Sequence, residues 1–226
     1  MTTYQDKNFL NPPTLWHSLL LRTLAERLVQ HQGQDAFPRM AGASVPKDGL
    51  PKASVLVLLT HEPTPRLLLT KRSSRLNHHA GEVAFVGGHR DAVDKNTAQT
   101  ALREGFEEVG LVPEAVSVIG YLPMVQSKAG LWVRPVVGVV EPEWVADLTL
   151  QESEIERIFW AELAYFLKTP PQVYRFDYVY DGQNVTIETP AWSVAGETVW
   201  GLTGRMIVSL LEIGFGVDTP WYYRQV

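Results

Sequence analysis

The 226-residue sequence predicts an α/β sandwich. Two observations lead to this fold class: short aliphatic and β-branched segments lie on both sides of a central helical segment, and further helical segments lie near both ends. With 45% hydrophobic residues, the chain can bury a sizeable core. We therefore expect one elaborated domain over residues 1–226.

Composition narrows the class of protein. The net charge of −5 argues against a general surface for nucleic acid or anionic membranes. The absence of cysteine excludes disulfides, thiolate metal sites and a cysteine nucleophile, and is typical of a reducing compartment. Residues 1–13 lack the pattern of a signal peptide, and the longest aliphatic run, 55–59, is too short to span a bilayer. We expect a cytoplasmic protein with no nucleic-acid or membrane partner.

The first half of the chain predicts a helix and three strands. The helix opens at Pro12-Pro13-Thr14 and ends near Gln32, and residues 33–51 form a linker rich in Gly, Pro and Ala. The apolar stripe of the helix is leucine-rich: Leu15, Leu19, Leu20, Leu24 and Leu28. Strands are predicted at 53–60, 66–71 and 82–85, and the third enters a turn at Gly87-Gly88.

The second half predicts further strands and a closing helix. Strands at 116–125 and 131–140 are joined by a turn at 127–130, and a strand at 155–160 leads into a helix at 161–168. Segments 174–180 and 184–188 form a hairpin across Asp181-Gly182. The closing helix runs from Thr198 to about Glu212.

The central helical segment separates apolar from acidic residues. Its predicted core-facing stripe consists of Ala98, Ala101, Leu102, Gly105, Phe106 and Val109. Glu104, Glu107 and Glu108 fall on the other side, where their carboxylates are neighbours. Arg103, one turn before Glu107, can pair with it, and Gly110 is placed to end the helix as a left-handed cap.

This density of carboxylates has two interpretations. Like charges one helical turn apart destabilise a helix by about 0.2–0.5 kcal/mol per pair, and by more when partly buried. A hard divalent cation such as Mg²⁺ or Mn²⁺ would turn that repulsion into binding, since both ions prefer oxygen ligands. The alternative is a solvated acidic face without a ligand.

The residues around the helix resemble the Nudix box, usually written G-x5-E-x7-R-E-U-x-E-E-x-G-U. Gly88 is followed after five residues by Asp94, and after eight more by REGFEEVGL at 103–111. The interval is one residue longer than usual, Asp94 replaces the first glutamate, and Gly105 stands where a bulkier apolar residue is common. A glycine inside a helix costs about 1 kcal/mol relative to alanine.

The upstream residues are similar to a narrower group, the coenzyme A pyrophosphatases, with their signature LLTxRS…R…G…FPGG. This chain has LLTKRS at 68–73 and HAGEVAFVGG at 79–88. Members of that group share the longer box, and the tract VWGLT at 199–203 resembles one near their ends. Asn77 replaces the signature arginine and Val86 the signature proline.

The resemblance implies a Nudix-type α/β/α sandwich with a mixed β-sheet. Its core covers about residues 50–165, with a helical extension at 1–50 and an elaboration at 166–226. It also implies hydrolysis of coenzyme A or its thioesters to 3′,5′-ADP and a 4′-phosphopantetheine product, with Mg²⁺ or Mn²⁺. The alternatives are Nudix hydrolysis of ADP-ribose, NADH or dinucleoside polyphosphates, and a Nudix-like binding module without hydrolysis.

The same resemblance suggests the roles of the acidic residues. Glu104 and Glu108 are the metal ligands of first choice, with Glu107 assisting and Arg103 orienting it. Glu107 or Glu154 would accept the proton of the attacking water. Asp94 has a structural role in the loop before the helix. The alternative for Glu154 is an exposed loop acid without function.

A basic tract precedes the helix and favours an anionic substrate. Residues 71–90 contain Lys71, Arg72, Arg75 and Arg90 against one acid, Glu82. The candidate substrate-binding residues are Arg72, Ser73, Arg75, His79, Gly87 and Gly88. The alternative is a solvated basic turn. Zinc binding by His78 and His79 is disfavoured because no third ligand has suitable spacing.

Aromatic residues leave two questions open. Trp160, Tyr121 and Tyr178 either stack an adenine ring or belong to the core, which is the commoner role of aromatic residues in strands. The tail Trp221-Tyr222-Tyr223 is interpreted either as a homodimer contact or as a segment that folds onto the last helix. The expected partner is a small nucleotide substrate.

Overall fold

A computed structural model describes residues 18–31, 51–76, 79–180, 182–219 and 224–225. The predicted α/β sandwich, with a mixed sheet and helices near both ends, is confirmed. The helices are α1 (Leu19–His31), α2 (Thr97–Val109), α3 (Leu163–Lys168) and α4 (Gly201–Phe215), with short 3₁₀ turns at Pro113–Ala115 and Pro142–Val145. None of the described helices is long and apolar enough to cross a membrane.

The main sheet has eight strands. They are β1 (Ala53–Thr60), β2 (Arg66–Arg72), β3 (Val83–Ala84), β4 (Val86–His89), β5 (Val116–Tyr121), β6 (Val125–Gln126), β7 (Trp132–Val140) and β8 (Ile155–Glu162). The central order is β3-β2-β1-β7-β5, while β4 also pairs with β1, β6 with β7, and β8 with β2. Only the β1–β7 pair among these is parallel, which makes the sheet mixed.

Both faces of the main sheet are buried because its central strands are apolar on both sides. On one face, Leu56, Leu58 and Leu68 pack with the apolar side of α2. On the other, Val57, Leu59, Leu67 and Leu69 pack with α1 and α4. The alternation of neighbouring residues between the two cores follows from the period of two in a strand. Among the described helices α1 to α4, α2 is the one that packs against the Leu56 face of the sheet.

A smaller sheet lies on the α4 side of the fold. It consists of β9 (Gln172–Tyr180), β10 (Gln183–Val194), β11 (Glu197–Val199) and β12 (Arg224–Gln225). The predicted hairpin across residues 181–182 is confirmed by the antiparallel pairing of β9 with β10. Trp192 of β10 is buried in the same core as α1 and α4, and its Nε1 donates to the Thr169 carbonyl at 2.8 Å. This packing joins the smaller sheet to the main one.

Several predicted boundaries are wrong. Thr198 belongs to β11, and the closing helix begins three residues later, at Gly201. Leu19 is 72% exposed because the buried stripe of α1 instead runs through Leu21, Leu24 and Leu28. The helix predicted at 161–168 begins at Leu163, since β8 continues to Glu162.

Some predictions lie outside the described residues. They are the helix start before Ser18, the linker at 33–50, Asn77, His78, Asp181 and the aromatic tail at 221–223.

Candidate active site

Helix α2 has a defined start and end. The Asn96 side chain accepts a hydrogen bond from the Gln99 N–H at 2.9 Å, which caps the first turn. Gly110 ends the helix with φ 69°, and its N–H donates to the Phe106 carbonyl at 2.9 Å. The predicted left-handed cap is therefore observed. The two caps define the ends of the helix that carries the glutamates.

The core-facing stripe of α2 differs from the prediction at one aromatic residue. Phe106 is 56% exposed, whereas Gly105 lies against the sheet. A Cβ at Gly105 would lie 3.6 Å from Leu56 and 3.8 Å from Val86. The helix can approach the sheet closely at this glycine, and the turn that follows carries Glu108.

Glu108 is buried, with 3% of its surface exposed, although it was expected on the acidic side of the helix. The buried residues Ala98, Ala101, Gly105 and Glu108 are spaced by three, four and three positions, so they form one line along the helix. The Glu108 Oε2 accepts from the Gly87 N–H at 3.0 Å, and Oε1 lies 3.7 Å from Nη1 of Arg72. Burial raises the pKa of Glu108 to about 7, against the opposing effect of these two partners.

Gly87 and Gly88 lie in strand β4, where the sequence predicted a turn. Gly87 has φ 152°, and a Cβ there would lie 2.4 Å from the Ser54 carbonyl oxygen. A Cβ at Gly88 would lie 2.6 Å from the Glu104 carboxylate. The two glycines thus allow β4 to pass between β1 and the carboxylates of α2.

Arg103 holds a network of acids from α2 and from the loop before it. Its guanidinium contacts Asp94 at 3.0 Å, Glu104 at 3.0 Å and Glu107 at 2.8 Å, and donates to the His89 carbonyl at 2.9 Å. Burial alone would raise the pKa of Asp94, but the hydrogen bonds from Arg103 and from the Asp91 N–H outweigh it, so that pKa is lowered. The hydrogen bond with Asp94 raises the pKa of Arg103. The network ties the loop before α2 to the helix.

Three carboxylates near the buried end of α2 repel one another. Burial raises the pKa of Glu104, and the charges of Glu107 and Glu154 raise it further. The charges of Glu104 and Glu154 also raise the pKa of Glu108. The Glu154 side chain is exposed, and its backbone carbonyl accepts from the Ser73 N–H at 2.8 Å. The structure therefore brings Glu104, Glu108 and Glu154 into one electrostatic group.

This group has the chemistry of a site for a hard cation. The donors are carboxylate oxygens, and the burial of Glu108 is offset only in part by Arg72. In the described part of the chain, no three His, Cys, Asp or Glu side chains are already gathered as a metal cluster. Glu104 and Glu108, one turn apart on the same helix, could hold a divalent ion, and their role as metal ligands stays a prediction.

The basic tract is only partly directed at the carboxylates. Arg72 reaches Glu108, and its buried Nε has no hydrogen-bond partner. Lys71 instead pairs with Glu156 at 3.3 Å and Glu197 at 3.2 Å, so its charge is neutralised. Counting basic residues along the sequence did not reveal this, because adjacent residues of a strand point to opposite faces.

The remaining predicted substrate contacts lie between β2 and β3. Ser73 is buried, and its Oγ accepts from the Arg75 N–H at 3.3 Å. Arg75 is exposed. His79 is also exposed, has φ 56°, and pairs through Nδ1 with Glu82 at 2.9 Å. The structure thus places Ser73 beside Glu154, but leaves Arg75 and His79 on an exposed segment.

Two of the three aromatic candidates pack against the core next to α2, and the third lies in the smaller sheet. Trp160 packs against the core next to α2, with the Arg66 guanidinium 5.4 Å from its ring. Tyr121 packs against the same core. Tyr178 belongs to the smaller sheet, where its hydroxyl donates to the Lys128 carbonyl at 3.4 Å. Trp160 and Tyr121 are thus accounted for by packing.

Comparisons with known proteins agree with the motifs. A family model described as NUDIX domain matches residues 50–179. The uncharacterized Nudix hydrolase NudL of Escherichia coli O7:K1 is 40% identical over 168 residues, covering 72% of this chain and 83% of NudL. NudL of Escherichia coli strain K12 / DH10B has the same identity and coverage.

Two solved structures are similar to parts of this chain. The Caenorhabditis elegans Ap4A hydrolase in a binary complex is 23% identical with a TM-score of 0.43, covering 50% of this chain and 81% of that chain. The NUDIX domain of Shewanella oneidensis NrtR complexed with ADP ribose is 21% identical with a TM-score of 0.40, covering 64% of this chain and 87% of that chain.

Proposed function

The chain belongs to the Nudix hydrolase family and is a pyrophosphohydrolase; from this premise we propose that it cleaves the diphosphate of coenzyme A or its thioesters. The products are 3′,5′-ADP and 4′-phosphopantetheine or its acyl derivative. The observation that supports this proposal is the contact of Arg72 with Glu108, which joins the upstream signature to the box. The same segment places Ser73 beside Glu154 through a backbone hydrogen bond.

Nudix hydrolases generally use divalent metals, and the proposed ion is Mg²⁺ or Mn²⁺ held by Glu104 and Glu108, with Glu107 assisting. When bound, the ion neutralises charge on the phosphoryl oxygens and lowers the pKa of a bound water. Glu108 is held in place by the Gly87 N–H, and Glu104 by Arg103. Arg103 therefore acts as a positioning residue.

Arg72 is the proposed donor to the substrate phosphate. Its Nη1 lies 3.7 Å from the Glu108 carboxylate and the side chain is 25% exposed, so a phosphate oxygen bound beside Glu108 would be within reach of the guanidinium. Gly87 and Gly88 are proposed to act by letting β1 and the Glu104 carboxylate pack directly against β4, since these groups fill the space beside the two glycines. Arg75 and His79 are proposed to contact the substrate from the exposed segment between β2 and β3.

The reaction consumes one water. The water oxygen attacks one phosphorus, the anhydride P–O bond breaks, and the second phosphate leaves as a monoester. Glu154 is the favoured acceptor of the water proton, since its carboxylate is exposed and its charge reaches both Glu104 and Glu108. Glu107 is the second candidate, but its carboxylate is already paired with Arg103 at 2.8 Å.

Hydrolysis of ADP-ribose, NADH or dinucleoside polyphosphates is the alternative, motivated by the two departures from the coenzyme A signature. One departure has a structural explanation. Val86 is a fully buried residue of β4 that pairs with Leu56, where proline would lack the N–H of a strand residue. The valine at position 86 is therefore explained by its packing against α2, and this departure from the signature gives no support to another substrate.

A substrate panel with product identification tests the proposal. The protein is incubated with coenzyme A, NADH, ADP-ribose and Ap4A in the presence of Mg²⁺ or Mn²⁺. The products are separated and identified by mass spectrometry. We expect 3′,5′-ADP from coenzyme A at a higher kcat/KM than any product of the other three. Intact coenzyme A together with rapid cleavage of ADP-ribose or NADH would contradict the proposal. The Glu108→Gln variant controls for contaminating hydrolases.

A further inference from the structure

Lys128 lies at the tip of the hairpin between β6 and β7. The hairpin is closed by the Ser127 N–H, which donates to the Leu131 carbonyl at 2.8 Å. The Lys128 ammonium lies 3.6 Å from the centre of the Phe176 ring and 5.1 Å from that of Trp200. Both distances are within the range of a cation–π interaction. The side chain is thus held against the smaller sheet.

The rings around Lys128 form an aromatic platform, which we define as Tyr174, Phe176, Tyr178 and Trp200. Tyr174 stacks on Trp200 with ring centres 4.4 Å apart, and Phe176 lies 5.3 Å from Trp200. The hydroxyl of Tyr178 donates to the Lys128 carbonyl. All four side chains are half-buried. The platform therefore orients Lys128 without enclosing it.

The charge of Lys128 is not neutralised by this arrangement. Among the described residues, no carboxylate lies within 4.0 Å of its ammonium, in contrast to Lys71, which pairs with Glu156 and Glu197. Glu82 acts on Lys128 only through its charge, and partial burial lowers the pKa of Lys128. A half-buried ammonium on aromatic faces is poorly hydrated, so an added anion would bind it more strongly than it would bind a solvated lysine.

Lys128 and the carboxylate site lie at the same end of the main sheet. The strand registers place Val125 beside Val133, Val133 beside Ala53, and Ala53 beside His89. The hairpin that carries Lys128 and the end of β4 therefore lie at the same end of the strands. They are separated by three strand spacings of about 4.8 Å, which is about 15 Å. Glu82 belongs to the same tract as Arg72 and Gly88, and its charge reaches Lys128. A nucleotide that extends over about 15 Å around this end of the sheet would reach both places.

We propose that Lys128, oriented by the aromatic platform, binds a phosphate monoester of the substrate that is separate from the scissile diphosphate. The identity of the ligand rests on the proposed function, because coenzyme A carries such a group as its 3′-phosphate. ADP-ribose and NADH lack it. Lys128 would then be a specificity-determining residue that selects nucleotides bearing an additional phosphate.

Kinetics with a matched pair of substrates test the inference. Coenzyme A and dephospho-coenzyme A differ only in the 3′-phosphate. We expect Lys128→Gln to raise KM for coenzyme A about tenfold, the usual value of one charge-assisted hydrogen bond, with kcat nearly unchanged. KM for dephospho-coenzyme A should not change, and Lys128→Arg should retain most of the discrimination. Lys168→Gln, at an exposed lysine in the last turn of α3, controls for lost net charge.

Two results would overturn the inference. Equal changes in KM for both substrates would show that Lys128 only supports the hairpin, and unchanged KM for both would show that it contacts neither. Thermal unfolding of Lys128→Gln and Lys128→Arg checks that the kinetic effect is not a loss of fold.

Equilibrium binding separates this inference from the proposed function. Calorimetry of 3′,5′-ADP and 5′-AMP with the wild type and Lys128→Gln needs no turnover. A preference for 3′,5′-ADP that disappears in Lys128→Gln supports the subsite even when coenzyme A is not hydrolysed. Equal affinities for both nucleotides in the wild type would overturn the subsite, even when coenzyme A is hydrolysed.

Discussion

The carboxylates around Arg103 and the carboxylate of Glu108 differ in their pKa values. Around Arg103, one guanidinium contacts three acids, Asp94, Glu104 and Glu107. On the buried side of α2, Glu108 has one backbone N–H and a guanidinium at 3.7 Å. The pKa of Asp94 is lowered and that of Glu108 is raised to about 7. The Asp94 and Glu108 side chains are both 4% exposed, so the difference lies in how closely a cation is paired with each acid, at 3.0 Å for Asp94 and 3.7 Å for Glu108.

This difference assigns different roles to neighbouring residues. The Arg103 network stabilises the loop and helix without any ligand. Glu108 destabilises the folded state when it is ionised, because its burial is not fully offset. Perturbed acids of this kind concentrate at functional sites. A bound divalent ion would supply the missing positive charge.

Replacing Glu108 should have the largest effect. Glu108→Gln keeps an acceptor for the Gly87 N–H but removes the charge, so the fold should persist while metal-dependent turnover falls about 10³-fold, the equivalent of several kcal/mol of transition-state stabilisation. The measurement is kcat at saturating Mg²⁺. The matched control is Glu212→Gln on α4, a carboxylate whose pKa is also raised by burial. Unchanged turnover at saturating Mg²⁺ would remove Glu108 from the site.

Replacing the general base should have the second-largest effect on kcat. We expect Glu154→Gln to lower kcat about 10²-fold, the lower end for general-base catalysis. Glu107→Gln should lower kcat less, because Glu107 is 54% exposed and bound to Arg103. A larger loss in Glu107→Gln than in Glu154→Gln would reverse the assignment.

The stability of the metal-free protein should depend on pH in opposite directions at Glu108 and Asp94. The folded-state pKa of Glu108 is about 7 against 4.5 when unfolded, so its contribution to stability is lost as pH rises from 4.5 to 7. The rise in pKa of about 2.5 corresponds to a loss on the order of 3 kcal/mol, since a change of one in pKa is about 1.36 kcal/mol. The folded-state pKa of Asp94 lies below 3.8, so its contribution is lost only as pH falls below that value. Urea unfolding in EDTA at several pH values measures both.

Single substitutions separate the contributions of Glu108 and Asp94 to the pH dependence of stability. Glu108→Gln should flatten the decline of unfolding free energy between pH 4.5 and 7, and Asp94→Asn should leave that decline intact. Asp94→Asn should instead remove stability at neutral pH, where the acid is paired with Arg103. A decline that survives in Glu108→Gln would mean that other acids, such as Glu104, dominate it.

Much of the fold and part of the site could be predicted from the sequence. The strands of the main sheet have strong β-branched and aliphatic patterns, and the caps of α2 follow local rules that act within a few residues. The contact of Arg103 with Glu107 follows from helical spacing alone. Asp94 and Arg103, nine residues apart, meet because the loop between β4 and α2 folds back.

The burial of Glu108 could not be obtained from a division into apolar and acidic faces. It depends on Gly105, which lets the helix approach Leu56 and Val86 and leaves Phe106 outside. The spacing of Ala98, Ala101, Gly105 and Glu108 indicates the buried face of the helix. Small residues such as alanine and glycine, however, contribute little to a hydrophobic pattern. The glycine pair was expected in a turn because Gly87 and Gly88 lack β propensity, whereas tertiary contact between β1 and α2 places them in a strand.

Binding of Mn²⁺ to the wild type and Glu108→Gln, followed by electron paramagnetic resonance, tests the metal assignment most directly. Free Mn²⁺ gives a signal that decreases on binding, so affinity is measured without substrate or turnover. We expect the wild type to bind the ion, Glu108→Gln to bind it at least about tenfold more weakly, and Glu212→Gln to match the wild type. Equal Mn²⁺ affinity in Glu108→Gln and the wild type would contradict the assignment of the buried carboxylate to the metal.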